Sequence, residues 1–330
     1  MRCGVVGAGA WGTALADVLA RGGHDVTLWA READVVESIM TRHENTRFLA
    51  GAPLSPRLAA TEDIIRAVTG ADFITFASPS AVLRGVAREV ATAAPLTATL
   101  VVATKGIERD TLQVMTDVIE GEMPGHPLVA LSGPSFAIEV AARQPTAVVA
   151  ASARADAASA VQRAFSTDVF RLYSHDDVLG VELGGALKNV MAVATGVAEG
   201  LGLGFNSRAA LITRGLAEMT RLGCALGARQ ATFAGLAGIG DLVLTCTGAL
   251  SRNRAVGLEV GRGKTLEQAL AGKETVAEGV VTTQSASALA AREGVDMPIV
   301  AAVHRILFEG QPAREAMNAL LARGLRAEQD

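Results

Sequence analysis

Arg2-Cys3-Gly4-Val5-Val6-Gly7-Ala8-Gly9-Ala10-Trp11-Gly12-Thr13-Ala14-Leu15-Ala16 decides the fold. A short apolar strand, Arg2 to Val6, runs straight into glycines spaced G-x-G-x-x-G. Apolar residues then recur at 14, 15, 18 and 19, the spacing of one helix face. Gly22-Gly23 closes that helix, and Asp25-Val26-Thr27-Leu28-Trp29 reads as a second strand. Strand, glycine turn, helix and strand within about 30 residues is the context that a dinucleotide fingerprint requires. Gly7 permits the tight turn, Gly9 lets the backbone approach a pyrophosphate, and Gly12 lets helix and strand pack closely. The helix N-terminus that follows the turn offers free N–H groups and partial positive charge to the anion. The competing reading is a glycine-rich turn in some other α/β fold. Beyond the second strand stand Ala30-Arg31-Glu32. Arg31 permits a 2′-phosphate and Glu32 leaves a 2′-hydroxyl possible, so NADP and NAD both remain open.

Working outward, the segment from Glu37 to Ala60 has no clear apolar period and contains Pro53 and Pro56, which predicts a long surface connection. Continuous apolar runs then resume at Phe73–Ala77, Ala98–Ala103, Leu128–Leu131 and Thr146–Ala150. Runs of this kind, rather than alternating ones, predict strands buried on both faces of a parallel sheet. Ligands in such sheets sit beyond the carboxyl ends of the strands. Three strands end there in chemically useful residues: Ser78-Pro79-Ser80, Thr104-Lys105-Gly106 and Ser132-Gly133-Pro134-Ser135. Val169–Tyr173 reads as one more strand. After it the alternation stops, and helical segments separated by glycines continue to about Arg326. The fold expected is α/β: a doubly wound Rossmann sheet over 1–175, followed by an all-α domain over 176–330.

Composition bounds the rest. Half of the 330 residues are hydrophobic and mean hydropathy is +0.32, which describes a packed globular chain. The net charge of −4 argues against a nucleic-acid partner, so any basic site must be local. Cys3, Cys224 and Cys246 form no CxxC pair, and the five histidines form no ligand pair such as HExxH, so neither a disulfide framework nor a metal is expected. The N-terminus is not read as a secretory signal, because Asp17 interrupts its apolar run. Glu199 breaks the most apolar stretch, near 189–205, so no membrane insertion is expected. A cytoplasmic location is the resulting expectation.

Lys188, in Gly184-Gly185-Ala186-Leu187-Lys188-Asn189-Val190-Met191, is a cation inside an apolar, helical run. It reads either as a surface lysine with its stem on apolar neighbours or as a desolvated amine of lowered pKa suited to proton transfer. Lys105 is a turn lysine on one reading and a site residue on the other, and its place at a strand end favours the second. In Gly238–Thr247 a helix would set Asp241 and Thr245 one turn apart on one face. Ser251-Arg252-Asn253-Arg254 opens a helix with a serine N-cap, an arginine and an amide in the first turn, a concentration of donors on one anion-sized spot.

Taken together with Leu211–Met219, these motifs span nearly the whole chain, and in their order it resembles the bacterial NAD(P)-dependent glycerol-3-phosphate dehydrogenases. The carrying residues are Gly7–Ala16, Ala103–Gly106, Leu131–Ala137, Leu183–Val190, Gly240–Thr247 and Ser251–Arg254. The resemblance implies a helical domain like that of the 6-phosphogluconate dehydrogenase group. It also implies hydride transfer between dihydroxyacetone phosphate and sn-glycerol 3-phosphate, supplying glycerol 3-phosphate for phospholipids. Lys188 would be the proton donor and acceptor, with Lys105, Asp241 and Thr245 completing the catalytic set. Substrate contacts would fall on Lys105, Gly133, Ser135, Lys188, Asp241, Ser251, Arg252 and Asn253. Cofactor contacts would fall on Trp11, Arg31, Lys105, Ala137, Arg252, Val276 and Glu278. Ala10 stands where relatives often carry serine, which removes one hydroxyl donor but leaves the backbone cradle. A β-hydroxyacid dehydrogenase of the same architecture and a non-catalytic cofactor-sensing protein are the alternatives. The apolar helical half is compatible with a homodimer.

Overall fold

The computed structural model describes residues 1–272 and 277–324. Eight strands form one sheet: β1 (Arg2–Val6), β2 (Asp25–Trp29), β3 (Leu58–Thr61), β4 (Phe73–Phe76), β5 (Thr99–Val102), β6 (Leu128–Ser132), β7 (Thr146–Ala151) and β8 (Phe170–His175). Between them lie α1 (Ala10–Arg21), α2 (Ala33–Arg42), α3 (Ile64–Val68), α4 (Leu83–Val90), α5 (Met115–Glu122), α6 (Ala137–Ala141) and α7 (Ala155–Phe165). Helices follow from α8 (Val178–Gly200) onward: α9 (Phe205–Ala225), α10 (Gln230–Phe233), a π-helical turn (Leu236–Gly240), α11 (Asp241–Thr247) and α12 (Arg252–Gly261). They continue with α13 (Leu266–Leu270), α14 (Glu278–Glu293), α15 (Pro298–Phe308) and α16 (Ala313–Leu321).

The strand order β3-β2-β1-β4-β5-β6-β7-β8 begins with the doubly wound Rossmann arrangement. Neighbouring residues of one strand enter opposite cores: Val5 packs with Leu15 and Leu19, Val6 with Ile74 and Phe76. Burial on both faces is why these strands read as unbroken apolar runs. Two expectations need correction. The sheet is not parallel throughout, because β7 pairs antiparallel with β6 while β8 runs parallel to β7. A parallel crossover must carry the chain back along the whole sheet, and the link from β6 to β7 holds only the five-residue α6. The 37–60 segment is not purely a surface connection either, since it contains the end of α2 and most of β3. Its apolar signal is weak because α2 buries only Val35, Ser38 and Ile39. The loop between them is pinned to the glycine turn by Asn45, whose amide donates to Ala8 O at 2.8 Å and to Thr13 Oγ1 at 2.8 Å.

The helical half is built around α8. Nineteen of its residues, Gly180 to Ala198, are buried without a break. The helix is long and apolar enough to cross a membrane, with mean hydropathy 1.3 in its most apolar window, yet 89% of that window is buried inside the protein. Asp177 starts the helix by accepting from Gly180 N at 2.9 Å, an N-cap worth about 1 kcal/mol. The tightest neighbour of α8 is α12, and their contact is main chain on main chain. A Cβ on Gly196 would lie 2.1 Å from Arg254 O, and one on Gly257 would lie 2.1 Å from Val193 O. This seam sets the start of α12 beside Lys188 and Asn189. Gly257→Ala should therefore destabilise by about 1–3 kcal/mol in urea denaturation. In an exposed helix interior the same change stabilises by about 1 kcal/mol, so the sign of the effect tests the seam.

Candidate active site

The cradle at the end of β1 has the shape that the sequence predicts. Gly7 sits at φ +114°, and a Cβ there would lie 2.8 Å from Ser78 N. A Cβ on Gly12 would come within 1.9 Å of Gly7 O, so helix and turn meet at backbone distance. Gly9 differs: a Cβ there meets nothing within 4 Å, which leaves open space above the turn. As N-cap of α1, Gly9 offers no side chain to the free N–H groups of Ala10 and Trp11. The Trp11 indole nitrogen is buried without a hydrogen-bond partner, and its ring leans on Phe170 with centroids 6.5 Å apart. Open space, uncapped N–H groups and an orphaned donor fit a dinucleotide. Arg31 leaves β2 with its side chain 82% exposed, 3.1 Å from Glu32. A surface pair of this kind is worth about 0–1 kcal/mol, so it does not commit the guanidinium, and NAD and NADP both remain compatible. Ala137 opens α6, half-buried. Val276 lies outside the described residues.

Lys105, Lys188, Asp241 and Thr245 converge. Lys188 is 8% exposed on α8, and its Nζ donates to Asp241 Oδ1 at 2.9 Å and to Thr245 Oγ1 at 2.7 Å. Thr245 donates to Asp241 O at 2.7 Å, one turn back along α11, so its lone pair is aimed at the lysine. Lys105, just past β5, donates from Nζ to Asp241 Oδ2 at 2.6 Å and to Gly133 O at 3.2 Å. Ser135 Oγ donates to the same carbonyl at 3.0 Å. Gly133 is held at φ +142°, where a Cβ would lie 2.9 Å from Val148 Cα. Gly185 on α8 leaves room for both neighbours, since a Cβ there would be 2.5 Å from Ser132 Oγ and 3.5 Å from Lys105 Cδ. One carboxylate, 1% exposed, thus bridges two ammoniums. Burial pushes the Lys188 pKa down to about 8; Asp241 opposes the drop and Lys105 adds to it. The Asp241 carboxyl is held below its usual range by the two lysines, against the effect of its own burial.

A third group lies at the start of α12. Ser251 caps the helix by accepting from Arg254 N at 3.2 Å, leaving its hydroxyl proton free to donate elsewhere. Arg254 is committed to Glu199 at 2.9 and 2.8 Å. Arg252 is exposed and, among the described residues, makes no hydrogen bond or ion pair. Asn253 is a brace rather than a free donor. Its Nδ2 donates to Asn189 Oδ1 at 2.9 Å and its Oδ1 accepts from Gly279 N at 2.9 Å, tying α8, α12 and α14 together. Glu278 reaches across to the end of β4, accepting from Ser80 Oγ at 2.7 Å. Burial raises the Glu278 pKa, while Ser80 and Arg252 oppose the rise. Residue types and spacing did not single out the Asn189–Asn253 pair or the Ser80–Glu278 contact. Each joins residues more than sixty positions apart, which no local period records.

A Rossmann cradle facing a buried lysine–carboxylate group on a helical domain defines a two-domain dehydrogenase that uses a dinucleotide. Residues 2–158 match the family model for the N-terminus of NAD-dependent glycerol-3-phosphate dehydrogenase, and residues 177–318 match the model for its C-terminus. The chain belongs to this family. It is 55% identical to the glycerol-3-phosphate dehydrogenase [NAD(P)+] of Geobacter sulfurreducens, over 99% of this chain and 98% of the relative. It is 52% identical to that of Syntrophotalea carbinolica over the full length of both. The crystal structure of glycerol-3-phosphate dehydrogenase from Coxiella burnetii superposes with a TM-score of 0.94 at 40% identity, covering 97% of this chain and 98% of the other.

Asp241→Asn keeps the shape of the bridge and removes its charge. The Lys188 pKa should then fall below about 8, because desolvation and the Lys105 ammonium would act unopposed. Titrating the lysine Cε resonances by NMR measures the change, and an unmoved pKa would exclude Asp241 as the counter-charge.

Proposed function

We propose that the chain interconverts dihydroxyacetone phosphate and sn-glycerol 3-phosphate by hydride transfer with NAD(P)(H), supplying glycerol 3-phosphate for glycerophospholipid synthesis. The observation that carries the mechanism is Lys188, a buried amine whose pKa of about 8 lets it give or take a proton near neutrality. When bound, the nicotinamide supplies the hydride to the carbonyl carbon, or accepts it from the alcohol. Gly7, Gly9, Ala10, Trp11 and Gly12 would hold the pyrophosphate end, with Arg31, Ala137, Arg252 and Glu278 as further contacts. Among the described residues Arg252 has no hydrogen-bond or ion-pair partner to give up, only the more distant charge of Glu278, so it is ready for an anion, and Ser251 can donate its hydroxyl proton beside it. Fixing the phosphate there orients the carbonyl, and orientation supplies much of the rate. Lys188 protonates the carbonyl oxygen during reduction and takes the proton back during oxidation. Lys105 stabilises the developing alkoxide, and Asp241 and Thr245 aim the Lys188 amine. Gly133 and Ser135 shape the substrate side of Lys105.

We assign residues 1–175 to cofactor binding and 176–330 to substrate binding and pairing of subunits. Phe205, Val243 and Leu250, exposed on the helical half, support a homodimer. A cytoplasmic location accompanies this reading.

Mixing the protein with dihydroxyacetone phosphate and NADH or NADPH, and following the reduced nicotinamide absorbance, tests the reaction and ranks the two cofactors. Lys188→Ala should lower kcat by about 10²–10⁴-fold while reduced cofactor still binds; near-normal turnover would remove the lysine from the mechanism. The pH dependence should have opposite signs in the two directions. Reduction needs the ammonium, so its rate should fall as pH rises through about 8. Oxidation needs the free amine and should rise over the same interval. Profiles of the same sign in both directions would count against Lys188 as the titrating group.

A further inference from the structure

Glu182 is a carboxyl that the reaction scheme leaves unused, and its setting is unusual. It lies on α8 at 8% exposure, six residues before Lys188, and its partner belongs to the sheet half. It accepts from Thr116 N at 2.9 Å and from Thr116 Oγ1. Thr116 is the second residue of α5, whose own N-cap, Val114, makes no side-chain hydrogen bond to the helix. The carboxyl of one half therefore caps a helix of the other, where the helix dipole favours negative charge.

The ten residues between Lys105 and Thr116 are not slack. Ile107 and Val114 form an antiparallel bridge, and Glu108 N donates to Gln113 O at 2.9 Å. Arg84 on α4 grips Glu108 at 2.9 and 2.6 Å and Gln113 at 2.9 Å. Ile107 and Val114 also pack into the core that surrounds α8. Thr116 and Lys105 thus stand at the two ends of one braced loop. Glu182 and Lys105 also border one cavity of about 10 Å³, beside the unpartnered Ser132 Oγ. That volume is roughly one water molecule.

We propose that Glu182 is a positioning residue for the reaction: it latches the loop bearing Lys105 to the helix bearing Lys188 and so fixes the spacing of the two ammoniums across Asp241. The inference rests on the roles given to those lysines under the proposed function. Burial raises the Glu182 pKa to about 7, with Thr116 opposing and Asp117 adding to the rise. The charged groups that face it are Asp117 on α5 and Lys105 on the loop; the β6 lining, Ala130, Leu131 and Ser132, carries no charge.

Three variants of the full chain test the latch. Glu182→Leu fills the space without accepting a hydrogen bond, Thr116→Val removes the hydroxyl from the other side, and Glu182→Gln retains an acceptor and a donor without charge. Glu182→Leu should lower kcat about 10-fold or more, since displacements of about 1 Å can cost 10²-fold. Affinity for reduced cofactor, read by its fluorescence, should stay near that of the parent. Thr116→Val should show a smaller loss of the same kind, and Glu182→Gln should recover most of kcat at pH 8. A merely structural Glu182 would lower the melting temperature and leave kcat of the folded fraction intact. Folded Glu182→Leu and Thr116→Val with kcat unchanged would overturn the proposal; if Glu182→Leu does not fold, Thr116→Val decides alone. The unmodified chain in the same assay separates the two claims. Without turnover there the dehydrogenase reading fails, whereas turnover that is insensitive to the latch sinks only this inference.

Discussion

One carboxylate holding two ammoniums is the constraint on which the site depends. Each lysine comes from a different half of the chain, Lys105 from the end of β5 and Lys188 from the middle of α8. Without Asp241 they would repel with no counter-charge between them. With it, each ammonium has a fixed acceptor and hydrogens left over for a substrate. The arrangement also sets the chemistry. Desolvation alone would drive the Lys188 amine to neutrality, and full pairing would keep it charged; a shared anion leaves it between the two, at about 8.

The second requirement is a rigid platform, and α8 supplies it. Glycines open its flanks where neighbours come closest: Gly184 to the Ala237 main chain, Gly185 to the Ser132 and Lys105 side chains, Gly196 to the Arg254 main chain. The start of α12 is thereby set against the same helix that carries Lys188, and the Asn189–Asn253 bond fixes its rotation. Capping groups finish the scaffold from a distance. Glu218 on α9 accepts from Ile299 N at 2.8 Å and caps α15, much as Glu182 caps α5. Burial raises the Glu218 pKa to about 7 as well, the backbone donors opposing.

Much of this was legible in the sequence, and what was not has physical reasons. The glycine turn declared itself because backbone constraints act within six residues. Strand runs and the α8, α12 and α15 segments declared themselves because their burial is periodic or continuous. The antiparallel return of β7 did not, since apolar runs carry no direction; only the shortness of the α6 link does. β3 was hidden because Leu58 is its one large apolar residue. Lys105 could be picked out by its place at a strand end, and Lys188 stood out only as a cation in an apolar run until the resemblance gave it a role; that one carboxylate touches both is a product of a fold that brings residues 105, 188 and 241 together. Arg252 and Arg254 look equivalent in the sequence. The structure separates them, because Glu199 takes one and leaves the other.

The seam between α8 and α12 has a consequence for heat and motion. Most binding sites are carried on side chains, whose rotamers broaden as temperature rises. Here the spacing of the two helices that carry Lys188 and Arg252 is set by peptide groups in contact, with Gly196 and Gly257 leaving no side chain between their backbones. What these positions contribute is the absence of a side chain. The spacing of the site is therefore tied to the stiffness of two helices and should survive until the helices themselves separate.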